Sequence, residues 1–164
     1  MRTLEITAYT FDELSETAKE KALFNNRDIN TTHEWWEWTY QDAENFGIRI
    51  TSFDIYYRKI SIEFTLDPLE VAKNIMNDCG PTSDIYSFAE SYISWYNKID
   101  DTGDYYETHE KIEDLNSEFK HRLCQEYIDL LIKEYDYMES DEAVIETLMA
   151  NMYEFTEDGN TFRY

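Results

Sequence analysis

The 164-residue chain carries 36 acidic against 14 basic side chains, a formal net charge of −22, which disfavours direct binding to nucleic-acid phosphates or anionic membrane and favours a cationic partner. Hydrophobic residues make up 42% and aromatics 16%, so this is no disordered acidic tail, and the length suits one domain with a real core. No stretch approaches the ~20 apolar residues of a membrane span, and Cys79 and Cys124 lie outside any CxxC pair and make no disulfide framework.

Residues 3–9, Thr-Leu-Glu-Ile-Thr-Ala-Tyr, alternate apolar and polar, which predicts a half-buried strand with Leu4, Ile6 and Ala8 on one face. That opening is not the apolar core of a signal peptide, and a reducing cytoplasm is expected. Ser15 is a suitable N-cap for a helix with Leu14 packed beneath it, and Ala18, Ala22 and Leu23 would face the core. Asn25-Asn26 and Asp28-Ile29-Asn30 break that helix. Thr31 or Thr32 is expected to cap a second one reaching about Phe46, where Gly47 supplies the left-handed stop.

Ile48, Ile50 and Phe53, then Ile60, Ile62 and Phe64, read as two extended runs with Tyr57-Arg58-Lys59 at or near the turn. No Asn-Gly or Asp-Gly pair marks the register of this hairpin. Asp67 before Pro68 opens a helix with Val71, Ala72, Ile75 and Met76 on its apolar face, ending at Gly80-Pro81. Ser83 or Asp84 starts the next, with Phe88, Ala89, Tyr92, Ile93 and Tyr96 inside, and the polar run from Asp100 to Asp104 is a loop.

Ile112, Leu115, Phe119, Leu123, Tyr127, Leu130 and Leu131 are spaced by three or four, which predicts a long helix from about Tyr106 to Tyr137. Ser140-Asp141-Glu142 opens a last helix to about Met152. The tail has Asp158-Gly159 between two short β-like runs, so it forms a terminal hairpin or a strand added to the sheet. The pattern is α+β: a small antiparallel sheet, built from the N-terminal strand and the central hairpin, with or without the C-terminal run, covered on one face by about five or six helices. No repeat or linker interrupts it, so residues 1–164 read as a single acidic domain.

The acidity is uneven. Residues 1–73 carry 14 acidic and 8 basic side chains, while residues 74–164 carry 22 and 6. Glu107, Glu110, Glu113 or Asp114, and Glu118 recur at helical intervals, which lays a carboxylate stripe along one face of the long helix. Carboxylates three or four residues apart lie about 5 Å apart, the same scale as the ~3.4 Å per-strand phosphate spacing along the axis of duplex DNA. Like charges at that spacing weaken a helix, so helix stability does not account for them. An ordinary solvated face is the plain alternative. Asp136, Glu139, Asp141 and Glu142 form a second acidic group near the C-terminus.

In His33-Glu34-Trp35-Trp36-Glu37-Trp38-Thr39-Tyr40, one helix would put Trp36, Tyr40, Ala43 and Phe46 toward the core. Trp35 and Trp38 would then point outward, either as a second packing surface or as anchors of an interface. No metal or cofactor is expected. The Asp100–Asp104 run has its glycine at the fourth place of a would-be calcium loop, and His33-Glu34 lacks the second histidine of a zinc helix. His121 and Cys124 share a helix face, yet Cys124 lies among core positions, so a structural pair is expected and no catalytic residue is assigned. A small-molecule pocket would draw on Trp35, Tyr56, Tyr57 and Tyr96.

Several of these segments together resemble a family of small acidic proteins of tailed bacteriophages and prophages. They are Thr10 to Ala22, Glu34-Trp35-Trp36 with Asp42-Ala43 and Gly47-Ile48, Val71-Ala72, Ser140 to Val144 and Tyr153 to Gly159. The similarity covers nearly the whole chain. Its members are mostly uncharacterised, and some are labelled antitoxin-like. The resemblance implies a viral accessory protein acting in the host cytoplasm, with no catalytic residue to carry over. By analogy with acidic inhibitors of host defence, it implies a protein that binds a basic, nucleic-acid-binding host effector of the CRISPR or restriction kind as a nucleic-acid mimic. The alternatives are an antitoxin-like protein neutralising a basic protein without mimicry, and a small-molecule-sequestering protein. The oligomeric state is left open.

Overall fold

The structure, a computed structural model, describes residues 7–99 and 105–162. Six α-helices and one two-stranded antiparallel sheet make an α+β fold: α1 Glu16–Asn25, α2 Glu37–Phe46, β1 Ile48–Asp54, β2 Lys59–Phe64, α3 Pro68–Asp78, α4 Asp84–Tyr96, α5 Tyr105–Met138 and α6 Asp141–Ala150. They divide into two compact units, residues 36–132 in one and residues 1–35 with 133–164 in the other.

Most helix starts follow from local hydrogen-bonding chemistry. The first N–H groups of a helix lack carbonyl partners within it, and a side-chain oxygen just ahead supplies one. Ser15 accepts from the Ala18 N–H at 3.3 Å, Asp67 from Leu69 at 2.9 Å, Ser83 from Tyr86 at 3.4 Å and Ser140 from Ala143 at 3.2 Å. Pro68 occupies the first turn of α3, where its missing N–H costs nothing.

In the unit of residues 36–132, β1 pairs with β2 from Ile48↔Phe64 through Ile50↔Ile62 to Asp54↔Lys59. The register shifts between Ile50 and Ser52. An extra residue there breaks the period of two and brings Phe53 onto the same face as Ile48 and Ile50. Phe53 meets Trp36 and Tyr40 of the α2 region edge-on, at ring separations of 5.6 and 6.1 Å. α2 ends at Gly47, whose φ of +87° is left-handed. A Cβ at that position would stand 2.6 Å from Cδ1 of the exposed Leu66, a flexible neighbour, so the left-handed backbone is what selects glycine here. Ile48, Ile50 and Ile62 from the sheet join Val71, Ala72 and Ile75 of α3, Ala89 and Tyr92 of α4, and Phe119, Leu123 and Tyr127 of α5 in one core. Each Val, Leu or Ile among them, withdrawn from water, contributes about 1.5–3 kcal/mol before entropy is counted.

In the other unit, Phe11, Leu14, Ala18, Ala22, Val144, Leu148 and Phe155 make a smaller core. Tyr9 forms an antiparallel bridge with Phe155, and Phe155 another with Thr161. Among the described residues the tail is thus a minimal hairpin turning at Gly159 and paired with Tyr9, and the β1–β2 sheet has two strands. Most of the expected N-terminal strand, including Leu4 and Ile6, lies outside the described residues, as does the Asp100–Asp104 loop. Ala8, expected to face inward, is exposed, and the half-buried residue is Tyr9.

The second helix begins later than expected. Thr31 and Thr32 cap nothing: their hydroxyls donate back to the Asp28 and Ile29 carbonyls at 3.2 and 3.1 Å and close a run of turns. A threonine hydroxyl satisfied by a carbonyl three residues behind competes directly with capping a helix ahead. α2 therefore starts at Glu37, and Trp35 precedes it.

Candidate functional site

α5 is a continuous helix of 34 residues, about 50 Å long. Phe119, Leu123, Tyr127 and Leu131 repeat every four residues and are buried. In its first half only Thr108, Ile112, Leu115 and Asn116 are half-buried, while Glu107, Glu110, Glu113, Asp114 and Glu118 are all exposed. At about 100° per residue these five fall within an arc of roughly 140° on the side away from the packed residues. The expected carboxylate face is present.

It is not uniformly bare. Lys111 Nζ lies 2.7 Å from Glu107, and that hydrogen bond holds the Glu107 carboxyl below its usual range. Arg122 Nε lies 2.8 Å from Glu118, and His109 stands 3.7 Å from Glu113. Like-charge repulsion along the face is thus relieved by Lys111 and Arg122 one turn away, though only weakly at such exposure. Glu110 and Asp114 have no ion-pair partner among the described residues.

The second acidic group is used by the fold. Asp141 pairs with Arg27 at 2.6 Å and sits with Glu142 in the first turn of α6, where negative charge meets the positive end of the helix dipole. Glu139 accepts from the Tyr135 hydroxyl at 2.5 Å, which pushes the phenol's pKa up. Asp136 and Glu142 are exposed. Two of these four candidates are therefore held by long-range or local bonds, unlike Glu110 and Asp114.

The two tryptophans separate. Trp38 is 80% exposed on α2, as an interface anchor requires. Trp35 is buried and packs on Tyr135 at a ring separation of 5.4 Å. It is a structural ring, correcting the expectation that it points outward, because the chain turns before α2 and directs it inward. Tyr56 and Tyr57 pack edge-on against each other in the exposed β1–β2 turn, and the cavity described below is lined by other residues. Burial raises the Cys124 thiol and keeps it protonated, the opposite of an activated nucleophile, while His121 is exposed.

One feature went unread in the sequence. Trp95 of α4 is 61% exposed beside half-buried Phe88 and Leu115. The available signal was its angle on the helix, about 80° off the line of Ile85, Ala89 and Tyr92. Among the described residues no cluster of three or more His, Cys, Asp or Glu is arranged to hold a metal ion, and no helix is long and apolar enough to cross a membrane. No family model matches the chain, and neither a curated protein nor a solved structure matches it significantly.

Proposed function

We propose that this chain is a phage-encoded accessory protein that binds and inhibits a host nucleic-acid-binding defence protein, of the CRISPR or restriction kind, by presenting acidic side chains to its basic groove. The observation that carries this reading is the exposed carboxylate face of α5, five acidic residues between Glu107 and Glu118 on a helix whose other side is packed. The face runs about 16 Å, roughly five phosphate steps of one strand measured along the axis of duplex DNA. With a net charge of −22, the approach of a basic groove is electrostatically favoured and its own nucleic acid is displaced.

A second reading draws on a different observation. Two of the five carboxylates, Glu107 and Glu118, already face a cation on their own helix, which blurs the periodicity a strict phosphate mimic would present. That favours an antitoxin-like protein that neutralises a basic partner without imitating DNA.

Charge reversal tests the first reading. Glu107→Lys, Glu110→Lys and Glu118→Lys together should abolish capture of the partner from host lysate with the melting temperature preserved, whereas Glu20→Lys on α1 should change little. Competition then separates the two readings. Under mimicry the captured partner releases its DNA or RNA when this protein binds. A ternary complex of all three would remove mimicry and leave neutralisation.

A further inference from the structure

A hollow of about 540 Å³ lies within the unit of residues 1–35 and 133–164, between the turns that follow α1 and the segment that follows α6. Its polar wall is formed by Asn25, Asn26, Asp28, Thr32, Asn151 and Glu154. Ile29, Met152 and the rings of Tyr153 and Phe162 supply the apolar remainder. No Lys, Arg or His lines it among the described residues. Arg27, which falls between two lining residues, bonds Asp141 at 2.6 Å and is not part of the wall.

The fold has already used most of the donors on the polar side. Asn26 Nδ2 donates to the Ala22 carbonyl at 2.7 Å, Asn151 Nδ2 to the Thr147 carbonyl at 2.8 Å, and the Thr32 hydroxyl to the Ile29 carbonyl at 3.1 Å. Asn25 Nδ2 reaches Asn160 Oδ1 at 3.5 Å. What is left over is acceptor capacity. The Asn25 and Asn151 amide oxygens and the exposed Asp28 carboxylate receive no side-chain hydrogen bond among the described residues.

We propose that this hollow binds a small aliphatic polyamine. Its ammonium groups donate to Asp28 and to the amide oxygens of Asn25 and Asn151, while its methylenes lie on Ile29, Met152 and the two rings. An ammonium carries three donors and no acceptor, which is the complement of a wall rich in acceptors and poor in donors. Aromatic faces attract the same cation, and the apolar side takes the methylenes out of water. A phosphate, carboxylate or nucleotide would meet acceptors and negative charge instead. The hydroxyls of a neutral sugar would bring further acceptors to walls with few donors to spare. The site is independent of the reading of α5. Because it is built from segments far apart in the chain, a bound polyamine stabilises the unit that holds them both.

The test titrates spermidine, and 1,6-hexanediol as its neutral counterpart, into the full chain by calorimetry and by amide chemical shifts at physiological salt. One spermidine should bind, with shifts confined to residues 25–32 and 151–162 and slower hydrogen exchange in α1 and α6. Asp28→Asn and Thr32→Lys, the second of which brings a competing ammonium to an exposed position on the wall, should each lower affinity at least tenfold with the melting temperature preserved. Glu20→Gln, which removes the same charge elsewhere on α1, should leave affinity within twofold. Shifts spread along α5, or an equal loss from Glu20→Gln, would reduce the effect to diffuse attraction of cations by the net charge and overturn the site. Hexanediol binding as tightly as spermidine would overturn the cationic assignment. Absence of heat and shifts at millimolar spermidine would overturn the proposal outright, with the α5 reading untouched.

Discussion

The two compact units are held in different ways. Among the described residues, those of 36–132 share a core of fourteen buried side chains drawn from the sheet and four helices, while those of 1–35 with 133–164 share seven. The smaller core is supplemented by polar bonds between residues far apart in the chain. Arg27 holds Asp141, Lys21 holds Asp158 at 2.7 Å, and Asn30 donates to the Met138 carbonyl at 3.1 Å and accepts from Thr147 at 2.6 Å. The difference extends to the acidic residues. Where apolar burial is scarce, carboxylates clamp segments together. Around α5 the carboxylates from Glu107 to Glu118 pair only with neighbours one turn away among the described residues, while Asp129 further along the helix is held by Arg58 of the β1–β2 turn.

The largest expected effect breaks the smaller unit at the turn of its terminal hairpin. Gly159 has φ +82°, and a Cβ there would lie 2.1 Å from the Ala18 carbonyl oxygen on α1. Gly159→Val should cost about 3 kcal/mol or more, because the left-handed backbone and a rigid backbone neighbour both oppose the side chain. Hydrogen exchange should then quicken in α1 and α6 and stay slow in α3 and α4. Uniform acceleration would show that the units share one cooperative stability.

A smaller effect of opposite sign is expected in the larger core. The Tyr127 hydroxyl is fully buried without a hydrogen-bond partner among the described residues, and burial raises its pKa. A buried unsatisfied hydroxyl costs about 1–3 kcal/mol. Tyr127→Phe keeps the ring and removes that cost, so the denaturation midpoint should rise, by an amount equivalent to about 1 kcal/mol. A fall of similar size would reveal a partner for the hydroxyl and narrow the contrast between the two cores.

The finest test concerns the clamp at Asp158. Its hydrogen bonds to Lys21 and Thr156 lower the carboxyl pKa from 3.8 to about 2. A carboxylate depressed on folding adds stability above its unfolded pKa and loses it as pH falls through the folded one. Thermal melts of the native chain and Asp158→Asn should therefore differ above about pH 4 and converge as pH drops toward 2. Both groups are exposed, so the difference should be small and shrink further in high salt. A gap that persists unchanged at pH 2 would assign Asp158 a role other than its charge.

The sequence by itself determined the elements whose signals are local. Ser15, Asp67-Pro68, Ser83 and Ser140 open helices because the N–H groups they satisfy lie two or three residues away. Gly47 closes α2 because no other residue takes that backbone angle cheaply, and the β1–β2 hairpin is written in its isoleucine and phenylalanine spacing. The α5 acidic face was legible for the same reason, since one helix fixes which side chains share a side. Tertiary structure alone decided the rest. Whether Trp35 faces water or Tyr135, and whether Asp141 is free or held by Arg27, each depends on a segment brought near from elsewhere in the chain. So does the pairing of Tyr9 with Phe155. The hollow lined by Asn25, Asp28 and Asn151 belongs with these, because a concave surface is a property of two segments and is absent from the periodicity of either.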